Sequence, residues 1–172
     1  MEEREQLIKD EGLKLFPYYC TEGKLTIGVG RNLDDNPLSA DEAMVFLLSR
    51  PHITVNNTEL KEIRKLLIED FRINGITEKE AFYLLDNDIK KVIVELKRNL
   101  AWFSQAPREV QNILINMTFQ MGIGGLLTFK NTLKLIENGS YSQAAENMDK
   151  STWRKQTPSR AKRLINRMKQ IA

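Results

Sequence analysis

Glu11, Cys20 and Thr26 bring an acid, a thiol and a hydroxyl into one short stretch, Glu11-Gly-Leu-Lys-Leu-Phe-Pro-Tyr-Tyr-Cys20-Thr-Glu-Gly-Lys-Leu-Thr26. Eight residues separate the first two and five the last two. An acid in partly apolar surroundings stays protonated near neutrality and can donate its proton. A second polar group across a gap can orient a water. Together they are the least equipment that hydrolysis of a glycosidic bond requires. Each residue alone reads more blandly, as a solvent-facing Glu at a helix end, a small apolar filler in a hairpin, or an ordinary strand threonine. A thiol is a poor general base unless its pKa is depressed. Three roles for Cys20 follow: a thiolate that accepts a proton from water, a nucleophile that forms a glycosyl thioether, or a holder of water together with Thr26.

The elements that must position these groups can be read from the pattern. Residues 2–11 form a short helix stopped by Gly12, and Leu15 to Cys20 and Leu25 to Val29 are β-prone, with Thr21-Glu22-Gly23-Lys24 as the turn. Gly28 and Gly30 alternate with Ile27 and Val29 and leave room for a ligand or a second backbone. Ser39-Ala-Asp-Glu42 is a capping box for a helix over roughly 40–49, ended by Pro51. Asn56-Asn57-Thr58 introduces another helix, with Leu60, Ile63, Leu67 and Phe71 on one face, broken by Gly75. Thr77-Glu-Lys-Glu80 is a second capping box, opening a long periodic run to Leu100. Pro107 starts a helix that is apolar nearly all round to Met121 and is ended by Gly122, Gly124 and Gly125. Shorter helices follow over about 129–138, about 141–149 (opened by Ser140 with Gln143) and about 158–171.

Composition narrows the function classes. At 172 residues and 41% hydrophobic, the chain buries a substantial core. No run is long and apolar enough to span a bilayer, so no stable membrane insertion is expected. The N-terminus lacks the pattern of a signal peptide, which predicts a protein made and folded in a cytoplasm. One Cys and one His exclude an internal disulfide and the usual zinc sets, and neither a metal nor a cofactor is expected. The single His, His52, beside Cys20 raises a thiol peptidase or amidase; nothing in the sequence orients it, and it reads as a surface residue. Residues 1–89 hold 11 Lys/Arg and 18 Asp/Glu, whereas 90–172 hold 15 and 5, so the halves carry −7 and +10. From Lys150 to Ala172 there are eight basic residues and no acidic one. Such a face attracts polyanions, but no aromatic-interleaved basic stretch argues for nucleic acid.

The Glu11–Thr26 stretch resembles the T-even bacteriophage lysozyme family, in which a Glu, an Asp or Cys, and a Thr recur at these intervals. Ile115-Asn-Met-Thr-Phe-Gln-Met-Gly122 and Trp153-Arg-Lys-Gln-Thr-Pro-Ser-Arg-Ala-Lys-Arg163 look like two further blocks of that family, while residues 34 to about 75 match poorly. The resemblance implies a mostly helical α+β fold with a small β-containing lobe at 12–76 and a linking helix at 77–100. Residues 101–172 together with 1–11 would form a larger helical lobe, with a cleft between the two. It implies a muramidase with Glu11, Cys20 and Thr26 as catalytic residues. Gly30, Asn32, Phe119, Gln120, Thr132 and Asn147 are implied to bind saccharide. Arg160 is implied as a basic partner for Glu11, and Arg31 and Asp88 as an ion pair tying hairpin to long helix. Trp153 reads as core. The implied substrate is the glycan strand of bacterial peptidoglycan, cut by a monomer with inversion. Its implied location is the host cytoplasm until a holin lesion admits it to the wall. The alternatives are a Cys/His wall peptidase or amidase and a non-catalytic wall-binding domain.

Overall fold

Helix α1 (Glu2–Glu11) stops where the sequence places Gly12, whose N–H closes onto Ile8 O at 2.9 Å. A computed structural model describes residues 2–171. The chain then runs into β1 (Lys14–Tyr19), β2 (Leu25–Gly28) and β3 (Arg31–Asn32), a three-stranded antiparallel sheet in sequence order. The register pairs Tyr18 with Thr26 and Thr26 with Asn32. Paired residues share a face of a sheet, so these three side chains lie in one row. Pro17 is tolerated because β1 is an edge strand whose register shifts between Lys14 and Tyr18. Ile76 N–H caps the far side of β1 through Leu15 O at 2.8 Å.

The rest is helical: α2 (Ala40–Leu48), α3 (Leu60–Asn74), α4 (Glu78–Asn99), α5 (Arg108–Leu127), α6 (Lys130–Glu137), α7 (Tyr141–Asp149), α8 (Thr152–Gln156) and α9 (Pro158–Lys169), with a 3-10 turn at Phe103–Gln105. This is the mostly helical α+β architecture expected. Both capping boxes form. Ser39 Oγ accepts from Glu42 N while Glu42 Oε2 accepts from Ser39 N, and Thr77 and Glu80 do the same for α4. Three local expectations need correction. Gly122 interrupts α5 at φ 72 rather than ending it, and the helix resumes to Leu127. Ser140 makes no side-chain cap to α7. Pro107 stands just ahead of the first helical residue, Arg108, rather than within α5.

The chain divides into two compact units, one up to Asp88 and the other from Ile89, with the division inside α4. The first unit has its own core, in which Ile27, Phe46, Leu67, Phe71, Ala81 and Leu84 are fully buried. Arg50 completes it: its guanidinium lies 5.1 Å from the Phe46 ring centroid and 4.9 Å from that of Phe71. It donates to Asp70 at 2.7 Å, to Glu80 at 2.6 Å and to Gly75 O at 3.2 Å. One buried cation thereby joins the ends of α2, α3 and α4. The second unit packs α5 through α9 around Ile113, Leu114, Met117, Leu126, Met148 and Leu164. Among the described residues no helix is long and apolar enough to cross a membrane.

Candidate active site

The first unit holds the acid at the end of α1 and the thiol and the hydroxyl on the hairpin. Glu11 is the last residue of α1 and is partly buried against the turn after β2. A Cβ built on Gly30 would lie 3.2 Å from Glu11 Oε2 and 3.3 Å from its Cγ, and Gly30 has φ +70. The bare, left-handed backbone at Gly30 is what lets the carboxyl sit there. The space that a side chain at Gly30 would take is occupied by Glu11.

Cys20 directly follows the last residue of β1, with its N–H on Lys24 O at 3.0 Å and its carbonyl accepting from Gly23 N at 2.8 Å. The tight loop turns the backbone N–H groups of Lys24 and then Glu22 toward the sulfur, and these, with help from Thr26, hold the thiol below its ordinary pKa. Thr26 is buried and donates its hydroxyl proton to Lys24 O at 3.0 Å. That single proton cannot serve the carbonyl and the sulfur together, and the 3.0 Å bond gives the carbonyl first claim. Tyr18, beside Thr26 in the register, was not foreseen. Burial raises its phenol pKa, and the charges of Glu11 and then Cys20 raise it further. Tyr18 therefore lies within electrostatic reach of both Glu11 and Cys20. A tyrosine two residues before the cysteine, on the strand face of Thr26, was the signal available.

Asn32 sits in line with Thr26 but is already engaged. Its Oδ1 accepts from Asp34 N and Asp35 N at 2.9 and 3.0 Å, and its Nδ2 donates to Asp35 at 2.8 Å. Its amide builds the loop after β3 and keeps one Nδ2 hydrogen beyond those bonds. Arg31 donates to Asp88 at 2.7 Å and to Glu42 at 2.6 Å. The pair is buried: Arg31 is 2% and Asp88 8% exposed. Glu42 also accepts from Asn87 at 3.0 Å, and burial's upward push on its pKa is outweighed by Ser39 N–H, Asn87 and Arg31.

In the second unit Thr132 is buried and donates to Asn147 Oδ1 at 2.7 Å, bracing α6 against α7. That bond leaves the Asn147 amide nitrogen as a donor on the opposite side. Asn147 lines a cavity of about 740 Å³ with Phe129, Lys130, Lys150, Trp153 and Gln156 among its walls. Gln120 accepts from Trp153 Nε1 at 3.0 Å, so this residue of α5 steers the indole rather than standing alone. Trp153 is both largely buried and part of the cavity wall, and Phe129 meets it edge-on at 6.0 Å. Phe119 lies beside Gln120 on α5, partly buried against the helical core. Arg160 binds Asn116 through Nε on Oδ1 at 2.7 Å and Nη2 on the carbonyl at 3.1 Å.

His52 is at the surface, as its reading had it, and has a partner that the sequence did not show. It is exposed, yet Nε2 lies 2.7 Å from the buried Asp70 Oδ1, within a small pocket shared with Ser49, Arg50, Asn74 and Glu80. Cys20 does not line that pocket. Among the described residues no group of three or more His, Cys, Asp or Glu side chains is arranged to hold a metal.

Comparison with known proteins adds relatives. A family model described as phage lysozyme matches residues 8–170, a span that includes the poorly matching segment. Probable T4-type lysozyme 1 of Dictyostelium discoideum is 32% identical over 167 residues, covering 95% of this chain and 91% of that protein. Probable T4-type lysozyme 2 of the same organism is 33% identical over the same shares. Pre-baseplate central spike protein Gp5 of Enterobacteria phage T4 is 30% identical over 164 residues, 93% of this chain but 26% of that protein.

Proposed function

From a chain that belongs to the phage lysozyme family, and so to the lysozyme-type glycoside hydrolases, we propose an enzyme that hydrolyses peptidoglycan at the β-1,4 bond between N-acetylmuramic acid and N-acetylglucosamine. Glu11 in its protonated form gives its proton to the leaving glycosidic oxygen as the C1–O bond breaks. A water held by Thr26 and Cys20 adds its oxygen to C1 from the opposite face, and its proton passes to the Cys20 thiolate. Attack from the opposite face inverts the anomeric centre. The observation that carries this reading is the seating of the Glu11 carboxyl against Gly30, in the turn that follows β2, on the same hairpin whose tight loop carries Cys20 and anchors Thr26. Within the second unit, the Asn147 amide and the wall formed by Trp153 and Lys130 offer donors and an apolar face of the kind that suits a glycan strand.

The test is digestion of purified sacculi by wild type, Glu11→Gln, Cys20→Ala and Cys20→Asp, with analysis of fragment ends and of anomeric configuration by NMR. New reducing sugar ends in the α configuration support the reading. Activity in Cys20→Asp, loss in Cys20→Ala and loss in Glu11→Gln assign the roles. New amino ends, or a sugar adduct accumulating on Cys20, overturn it. In a cell the enzyme acts as an endolysin, lysing the host when a holin opens the membrane. Co-expression with a holin then causes lysis that the Glu11→Gln variant does not.

A further inference from the structure

In the first unit, acids outnumber bases, and its cations are unequally treated. Arg4, Lys24, Arg31 and Arg50 each hold a carboxylate within 3.1 Å. Lys61, Arg64, Lys65 and Arg72 on α3 have no carboxylate partner among the described residues. Arg64 donates through Nε to Leu38 O at 2.6 Å, and Arg72 lies 3.5 Å from Tyr19 Oη. Spacings of four and seven residues set Lys61, Lys65 and Arg72 along one side of the helix, which spans about 16 Å at 1.5 Å per residue. The four line a groove of about 400 Å³ with Ile68 and a single acid, Glu69. Four cations against one carboxylate, gathered in an otherwise acidic unit, select an anionic partner.

The C-terminal end of that groove shows which kind. Tyr19 beside Arg72 is 64% exposed, Ile73 77% and Phe16 54%. Phe16 closes on the same end, its ring 3.1 Å from where a Cβ on Gly75 would stand. Three large apolar side chains in water next to unpaired cations are poorly matched to a soluble polyanion, which satisfies only the charges. A phospholipid surface satisfies both: phosphates meet the Lys and Arg heads while aromatic and aliphatic groups enter the headgroup boundary. Tyr19 lies next to α3, whereas Tyr18, its neighbour in β1, shares a row with Thr26 and senses Glu11. Alternation along the strand puts these on opposite faces. We infer that the α3 groove, with Tyr19, Ile73 and Phe16, docks the protein peripherally on an anionic phospholipid bilayer and leaves the Glu11–Cys20 face of the hairpin clear.

The test is cosedimentation of the full chain with phosphatidylcholine vesicles, with and without about a quarter of phosphatidylglycerol, across a salt series. Wild type pellets with the anionic vesicles, less as salt rises, and not with the neutral ones. Each cation near such a surface contributes about a fivefold factor, so Lys61→Gln, Lys65→Gln and Arg72→Gln together lower partitioning about a hundredfold. Tyr19→Ser with Ile73→Ser weakens vesicle binding but leaves retention on soluble polyphosphate intact. All five positions are exposed, and thermal melts confirm that the variants fold. Binding by the triple variant equal to wild type overturns the inference, as does its transfer to the basic helix α9 by loss in Lys162→Gln with Lys169→Gln. Undiminished vesicle binding by the Tyr19–Ile73 variant also overturns it, since the apolar contact is what distinguishes a bilayer from a free polyanion.

Discussion

Glu11 Oε2 lies where a methyl group on Gly30 would come within 3.2 Å of it. The acid is therefore seated by the absence of a side chain in the turn that follows β2. Gly30→Ala meets two obstacles, contact with the carboxyl and a φ of +70. The strained backbone costs about 1–2 kcal/mol, and displacement of the acid lowers activity about ten- to hundredfold. Urea unfolding and sacculus clearance on the same sample separate the two: a modestly lowered urea midpoint with activity down by about ten- to hundredfold is the expected pattern, and unchanged activity contradicts the seating role.

Arg31 is held between Glu42 and Asp88, all three nearly inaccessible to water. Arg31→Met leaves two carboxylates buried without their cation, which costs about 3–5 kcal/mol. Adding Asp88→Asn removes one of the stranded charges and recovers part of the loss. Chemical denaturation of the single and double variants reads this directly; additive losses would show that the charges do not act on one another.

Acid sensitivity follows from Glu80. Burial raises its pKa, but the Arg50 guanidinium, the Thr77 N–H and the Ser49 hydroxyl outweigh that and hold it at about 2 instead of 4.5. A depressed carboxylate stabilises the folded state above its unfolded value and loses that contribution as pH falls. The loss should run from pH 4.5 down to about 2. Asp70, whose own burial is outweighed by His52, Asn74 and Arg50, is lowered as well and adds to it. In Glu80→Gln the melting temperature is lower near neutrality and its fall across this window is shallower. Parallel curves for the two proteins would remove Glu80 from the account.

The neighbourhood of Glu11 and Cys20 can be measured through Tyr18. Its phenol is pushed upward by burial, then by the charge on Glu11, then by Cys20. Glu11→Gln removes the second of these, so Tyr18 titrates at lower pH than in wild type, followed by the ring carbon resonance in labelled protein. Cys20→Ala shifts it the same way by less. Identical titrations in all three would place the acid and thiol too far from the hairpin tyrosine to share chemistry.

What the sequence disclosed was local chemistry. Ser39 with Glu42 and Thr77 with Glu80 were legible because a capping box lies within four residues. The hairpin was legible because Gly23 sits where the turn needs it. Hidden features depend on partners far along the chain. Strand β3 is two residues long and exists only because β2 is beside it. The burial of Arg31 arises when Asp88, distant in sequence, closes over it. The engagement of Asn32 with its own loop is another hidden feature, which residue type does not reveal. Tyr18 passed unnoticed since a strand tyrosine is ordinary until a register places it beside Thr26.

Arg50 has an evolutionary corollary. Deleting or shortening α2, α3 or the start of α4 would strand a guanidinium between two phenyl rings, so those helices must be inherited together or lost together. Changes of length have one inexpensive outlet, the mostly exposed stretch from Thr54 to Glu59. Relatives of this chain should therefore differ in residue count there while keeping a cation, two aromatics and two acids at corresponding places.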